Sequence, residues 1–255
     1  MLIRYPGSKD RHKHLLPLVT QKGSVITEPF CGTASVSFSL LEQKLVNDVH
    51  LNDADENIAC LWKSVVSDSK TLVQMIKEYT PSAKDFYNFK ENPGYTDIDR
   101  AFRLIVLHQI SYSGLGRKAG SPIGGRYQTG SYKVDCRWRP KTLEKKILKC
   151  SFLLNSADKL IISSEDWSDI VSYDRFMYVD PPYFEEGSGL YVAGDIDHSA
   201  LAYYLKDSSR WVLSYDDCEE VRDLYSWADI QRVNYTSGLN GTDTHKRTEL
   251  VITPC

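Results

Sequence analysis

The sequence predicts an α/β fold, in which short apolar strands alternate with helices and one largely helical stretch interrupts the series. Three observations carry this reading. Apolar runs repeatedly end in an acidic residue and a turn, at Glu28-Pro29, Asn52-Asp53, Glu165-Asp166 and Asp180-Pro181. Open α/β sheets bind their ligands beyond the carboxyl ends of their strands, so polar groups gathered there are expected. Between Asp68 and about Gln109 strand signals are absent and the apolar spacing is helical. With 255 residues the chain can bury a full core, as one large domain or a domain carrying an insertion.

Residues 4–9 read as a turn punctuated by Pro6-Gly7, with Ser8 as cap of a helix from about Lys9 to Val19. Backbone amides at such a helix start, with Lys9 beside them, suit an anionic group, and Tyr5 offers a flat face. A first strand is expected over 23–27, then a tight turn, Glu28-Pro29-Phe30-Cys31-Gly32, and a helix to about Leu41. Gly32 allows close approach of the backbone to a ligand. A second strand ends near Leu51. Asp53, about 20 residues past the glycine turn, is placed to accept from ribose hydroxyls. The plainer alternative is that Asn52, Asp53 or Asp55 caps the helix that runs to about Val66.

Three helical pieces follow, separated at Pro81 and Pro93-Gly94. From Ser111 to Trp138 glycine, serine and basic residues dominate, which predicts an extended loop or β-hairpin exposing Arg117, Lys118, Arg126 and Lys133. A basic helix over 140–149 comes next, then a strand-like 151–154 and a short strand at Ile161-Ile162. Asp166-Trp167 beyond it suits the amino group and ring of a purine, or else caps the next turn over a core Trp. After Tyr183, the glycine-broken 185–195 reads as a flap. A helix over 197–205, a strand over 211–215, a helix over 219–227 and strands over 230–235 and 249–253 complete the series. The polar 236–248, ending in His245-Lys246-Arg247, is a second candidate phosphate-contacting loop.

Phe176-Met177-Tyr178-Val179 reads as a buried strand leading into Asp180-Pro181-Pro182-Tyr183. Two prolines end it, since neither donates to a sheet ladder. The Asp180 carboxylate and the Pro181 carbonyl are two acceptors on a stiff turn, and together they can hold both hydrogens of one amino group. Tyr183 supplies a ring face. The set suits a planar amino-bearing base; a strand, a proline turn and a surface Asp is the plainer alternative.

Charge is unevenly spread. Arg100–Lys149 holds 12 Lys or Arg against Asp135 and Glu144, a net +10, which leaves −13 elsewhere. A basic block in an acidic chain points to a polyanion partner held by one region, unless the fold brings in counter-charges. The six cysteines form no Cys-x-x-Cys pair, and no His, Cys or carboxylate cluster suggests a metal. No apolar run approaches the ~20 residues of a membrane span, and residues 1–7 lack a signal-peptide core. A reduced, intracellular protein is the corresponding expectation; analogy with compact stand-alone chains of this size adds the cytoplasm of a bacterial or phage-infected cell, as a monomer or weak dimer.

Taken in order, these motifs resemble the Dam-type adenine-specific DNA methyltransferase family. Residues 4–9 are similar to its opening segment, Glu28–Gly32 to its methionine-end motif, and Asn52-Asp53 to its ribose-binding acid. Asp166-Trp167 is similar to its adenine-side pair, and Asp180-Pro181-Pro182-Tyr183 to its catalytic motif. The resemblance implies a Rossmann-like methyltransferase sheet (1–66 and 150–255) and an inserted, mostly helical recognition lobe with a basic hairpin (67–149). It implies transfer of the methyl group of S-adenosylmethionine to the 6-amino group of an adenine extruded from double-stranded DNA. Asp180, Pro181 and Tyr183 would be catalytic. Tyr5, Lys9, Phe30, Asp53, Asp166 and Asp180 would bind cofactor, and Arg117, Lys118 and Arg126 would contact DNA. The Gly120–Gly125 stretch departs from the Asn-x-Pro-x-Gly of members that read GATC, so no recognition sequence is implied. Alternatives are a cytosine-amino or RNA adenine methyltransferase, or an inactive DNA-binding protein of the same fold. A nicotinamide dehydrogenase is disfavoured, because the Gly-x-Gly-x-x-Gly pattern is missing.

Overall fold

Among the described residues, seven strands form one sheet in the order β3-β2-β1-β4-β5-β7-β6. The computed structural model describes residues 2–3, 25–171, 175–184, 196–237 and 245–255. The strands are β1 (Val25–Glu28), β2 (Asp48–Asn52), β3 (Lys159–Ser163), β4 (Met177–Val179), β5 (Trp211–Asp216), β6 (Asp229–Ser237) and β7 (His245–Thr253). From β3 to β5 neighbours run parallel; β7 pairs antiparallel with both β5 and β6. Chain order runs outward through β1, β2 and β3 in one direction and through β4 and β5 in the other. The direction therefore reverses between β1 and β4, the kind of switch point where open sheets leave a crevice for ligands.

Strand alternation feeds two cores. Tyr178, Val212 and Val251 point to one face, and Met177, Val179, Trp211, Leu213, Leu250 and Ile252 to the other. The first face is covered by α1 (Ser35–Glu42), α2 (Glu56–Ser67) and α6 (Pro140–Asn155), together with α3 (Ser69–Glu78), α4 (Ala83–Glu91) and α5 (Asp97–Ile110). The second is covered by α7 (Trp167–Ile170), α8 (His198–Lys206) and α9 (Glu219–Leu224). Leu72, Ile76, Phe86 and Ile105, from the inserted helices, lie in the same core as Ile26, Val49 and Leu51 of the sheet. The insertion is thus packed onto the sheet's helical layer and continuous with it.

Local chemistry explains the helix starts. Asp55 caps α2 through the Asn57 amide, Ser82 and Asp85 form a capping box on α4, and Thr96 caps α5 through the Asp99 amide. Pro140 occupies the first position of α6, where a missing N–H costs nothing.

The structure corrects four expectations. Residues 151–154 are the last turn of α6, because Leu143, Ile147 and Leu154 extend one buried helical stripe through them. The Ser111–Trp138 stretch is no β-hairpin. It folds as two 3-10 turns, Tyr112–Gly114 and Gly116–Lys118, with a single antiparallel bridge between Ser111 and Pro122. Its glycines at positive φ (114, 116, 124 and 125) turn the chain too often for a ladder to propagate. Arg117, expected to be exposed, is half-buried. The last two strands also reach further than expected, so His245-Lys246-Arg247 belong to β7. Tyr5, Lys9, the turn and helix over 4–19, the flap at 185–195 and the loop centre at 238–244 lie outside the described residues.

Candidate active site

At the switch point the ends of β1 and β4 stand side by side, with Thr27 in register with Met177. Glu28 is the last residue of β1 and is buried. Ala34, the residue just before α1, is left-handed and gives the helix no side-chain cap. Glu28 supplies the missing acceptor: its Oε1 takes the Ser37 amide at 2.8 Å. Burial, opposed by the Ser37 bonds and aided by the nearby Asp180 charge, raises its carboxyl to about 7.

The turn after β1 is tied to the end of β2. Gly32, at φ 44, donates its amide to Asp53 Oδ2 at 2.8 Å. Asp53 Oδ1 accepts from the Asp55 amide at 3.0 Å, and Trp62 Nε1 donates to the Gly32 carbonyl at 3.0 Å. Asp53 is therefore not the helix cap; Asp55 is. Each Asp53 oxygen holds one backbone amide and keeps a second lone pair. Burial raises its carboxyl to about 7 despite both amide bonds.

Asn52, which the sequence offered only as Asp53's neighbour or a cap, joins three strand ends. Its Nδ2 donates to the carbonyls of Pro29 (3.0 Å) and Glu165 (3.1 Å). Its Oδ1 accepts from Ser163 Oγ (2.8 Å) and the Glu165 amide (3.0 Å). An Asn immediately before the strand-end acid was the only sequence signal for it. Beyond β3, Asp166 is exposed and caps α7 through Ser168, its Oδ1 accepting from the amide at 2.9 Å and from Oγ at 2.6 Å. Those bonds hold its carboxyl below its ordinary value. Trp167 is buried, with its ring 6.3 Å from that of Phe30. Phe30, Asp53, Asp166 and Trp167 thus lie beyond the carboxyl ends of β1, β2 and β3, on the turns that Asn52 joins.

On the β4 side, Pro181, Pro182 and Tyr183 are buried and Asp180 is half-buried. Tyr178 OH lies 2.9 Å from Ser214 Oγ on β5, Tyr183 OH donates to Glu249 Oε1 on β7 at 2.6 Å, and the Phe184 amide donates to Asp216 Oδ1 at 3.1 Å.

The basic stretch lies on the inserted helices. His108 Nδ1 donates to the Gly114 carbonyl at 3.0 Å, and the Gly116 amide donates to Ser111 Oγ at 2.9 Å. Lys90 Nζ donates to the Ala119 carbonyl at 2.7 Å. Arg117 Nε donates to the Lys90 carbonyl at 3.2 Å, which ties the turn to α4. Lys118 and Arg126 are exposed, the latter 5.5 Å above the Tyr87 ring. Lys133 is exposed and its Nζ donates to the Gln128 carbonyl at 2.5 Å. Part of the basic block is neutralised by the fold, through Arg100–Glu56, Arg103–Asp99 at 2.7 Å and Lys149–Glu42 at 2.6 Å. Among the described residues, Arg117, Lys118, Arg126 and Lys133 make no ion pair.

The arrangement suits a nucleoside: carboxylates at successive strand ends to accept from hydroxyl or amino groups, with aromatic rings alongside. Among the described residues no group of three His, Cys, Asp or Glu could hold a metal ion, and no helix is long and apolar enough to cross a membrane.

Comparison with known proteins agrees with this chemistry. Over 240 residues the chain is 23% identical to the Type II methyltransferase M1.LlaDCHI of Lactococcus lactis subsp. cremoris, covering 89% of this chain and 76% of the relative. Over 188 residues it is 27% identical to the Type II methyltransferase M.MjaIII of Methanocaldococcus jannaschii, covering 66% of this chain and 62% of the relative. Residues 5–239 match the family model described as D12 class N6 adenine-specific DNA methyltransferase. With acids and aromatic rings at the strand ends beside the switch point, and a family match over nearly its whole length, the chain belongs to the D12 class N6 adenine-specific DNA methyltransferases.

Proposed function

We propose that the chain methylates the 6-amino group of an adenine extruded from double-stranded DNA, at a defined site, with S-adenosylmethionine as donor. The family's chemistry is adenine N6 methylation of DNA, and its members generally use that donor. The carrying observation is the pairing at the switch point: Asp180-Pro181 follows β4 directly beside the Glu28-Pro29-Phe30 turn after β1.

In this reading Asp53 would accept from the donor's ribose hydroxyls, Asp166 and Trp167 would hold its purine, Phe30 would lie toward its methionine end, and Tyr5 and Lys9 would also serve to bind it. The cofactor, when bound, supplies an electrophilic sulfonium methyl. The chain's own task is to orient the amine. Its lone pair is delocalised into the adenine ring and is poorly nucleophilic. The Asp180 carboxylate and Pro181 carbonyl accept the two amino hydrogens, which favours a tetrahedral nitrogen with its lone pair outside the ring plane. Tyr183 carries the base on its ring, because this chemistry cannot be performed inside the duplex. Catalysis is then mainly positioning. Residues 67–149 act as the recognition insertion, with Lys118 and Arg126 on the phosphates and Arg117 bracing the turn that presents them. The names of the relatives favour a Type II methyltransferase.

The test is incubation of the purified protein with genomic DNA lacking methyladenine and with labelled S-adenosylmethionine, followed by mapping of modified bases. N6-methyladenine at one short motif is expected, and none with Asp180→Ala. Full methylation by Asp180→Ala would refute the assignment.

A further inference from the structure

We propose that Glu249 is a positioning residue for methyl transfer, acting through the hydroxyl of Tyr183. The inference rests on the role proposed for Tyr183. Glu249 lies on β7, 66 residues beyond Tyr183 in sequence, and is 3% exposed. Its Oε1 receives the Tyr183 hydroxyl at 2.6 Å, in the range of a short, charge-assisted O–H···O bond. Burying a carboxylate is costly, and a neutral acceptor would satisfy a phenol at less desolvation cost. What a carboxylate adds is a stiffer grip on the donor.

The grip falls where the local chain leaves freedom. Pro181 and Pro182 fix φ along the turn but do not by themselves set the rotation of the Tyr183 side chain. The phenol bond fixes that rotation against a strand. Register makes the anchor firmer. Glu249 pairs with Asp216 of β5 on one side and with Val233 of β6 on the other. Asp216 in turn accepts the amide of Phe184. Two acids in register on adjacent strands thus hold two successive residues of the segment that follows Asp180. The Tyr215 ring, 6.3 Å from that of Tyr183, backs it from β5. A base resting on Tyr183 would take its position from β5 and β7, and no step in the proposed chemistry requires Glu249 to touch it.

The test compares Glu249→Ala, Glu249→Gln, Tyr183→Phe and the Tyr183→Phe/Glu249→Gln pair for methyl incorporation into unmethylated genomic DNA, with cofactor binding measured by titration. Glu249→Ala should lower kcat roughly ten- to a hundred-fold, the scale of a ~1 Å misplacement, with cofactor Kd within about twofold. Glu249→Gln, which keeps an acceptor, should recover to within about threefold of the parent. Tyr183→Phe should lose about three- to tenfold, and adding Glu249→Gln to it should change nothing further. Parental kcat in Tyr183→Phe, or in a folded Glu249→Ala, would overturn the inference; so would a Glu249→Gln loss that is measurable with the hydroxyl present and undiminished without it. The Tyr183→Phe arm decides the matter even if Glu249→Ala does not fold. Activity retained by Asp180→Ala would instead bring down the reading of the site itself.

Discussion

Asn52→Ala tests whether the turns proposed to bind the cofactor are held together by one side chain. The amide makes four hydrogen bonds, two donated and two accepted, and is fully buried. Each bond contributes about 1 kcal/mol net, and buried partners left unsatisfied raise the cost toward about 1–3 kcal/mol apiece. Water entering the vacated space relieves part of this, so a loss of roughly 3–5 kcal/mol is expected. For a chain of this size that corresponds to roughly 6–20 °C in Tm. Asn52→Asp keeps the acceptor for Ser163 and Glu165 but turns an oxygen toward the Pro29 and Glu165 carbonyls. It should be destabilised too, and less so at acid pH, where the protonated carboxyl regains a donor. Equilibrium denaturation measures both variants. Cofactor titration of the folded fraction should show weakened binding, since the turns bearing Phe30 and Asp166 are no longer joined. An Asn52→Ala protein within about 1 kcal/mol of the parent would refute the reasoning.

Burial lifts Asp53 from 3.8 to about 7. The folded protein thus keeps a proton there that the unfolded chain has released, and this group's stabilisation is full below pH ~4 and lost as pH rises through about 7. Asp53→Asn should flatten part of that fall in denaturation at several pH values, Glu28 supplying the remainder; an unchanged slope would remove Asp53 as its source. Lys118→Ala and Arg126→Ala should each lower the slope of log affinity for DNA against log salt by about 0.9, read by fluorescence anisotropy; an unchanged slope excludes a phosphate contact. Gly116→Ala places a Cβ 2.8 Å from His108 Nε2 at a φ of +56, which should cost about 1–3 kcal/mol. It should weaken DNA binding with cofactor affinity unchanged, and a titration showing both intact would deny the turn its presenting role.

The sequence by itself determined where the strands end and which turn follows each. Strand ends followed by acid and turn are local signals, since a proline or glycine breaks a ladder wherever it stands. The helix breaks at Pro81 and Pro93-Gly94 are likewise properties of single residues, and α3, α4 and α5 divide there. Local pattern failed where two structures share one composition. Residues 151–154 carry the apolar run of a strand, yet their register with Leu143 and Ile147 makes them helix. The basic loop has the turn residues of a hairpin, yet His108 and Ser111 hold it as consecutive tight turns.

The tertiary structure alone decided the partnerships. Asp53 with Gly32, Asn52 with Glu165 and Tyr183 with Glu249 are separated by 21, 113 and 66 residues. Which acid caps a helix, which receives a glycine amide and which grips a tyrosine depends on strand order and register. Those are set by how whole strands and helices bury their apolar faces together, and no short stretch of sequence encodes them. Asp55 and Asp53 are the same residue type two positions apart, and only the neighbouring turn at Gly32 assigns them different tasks.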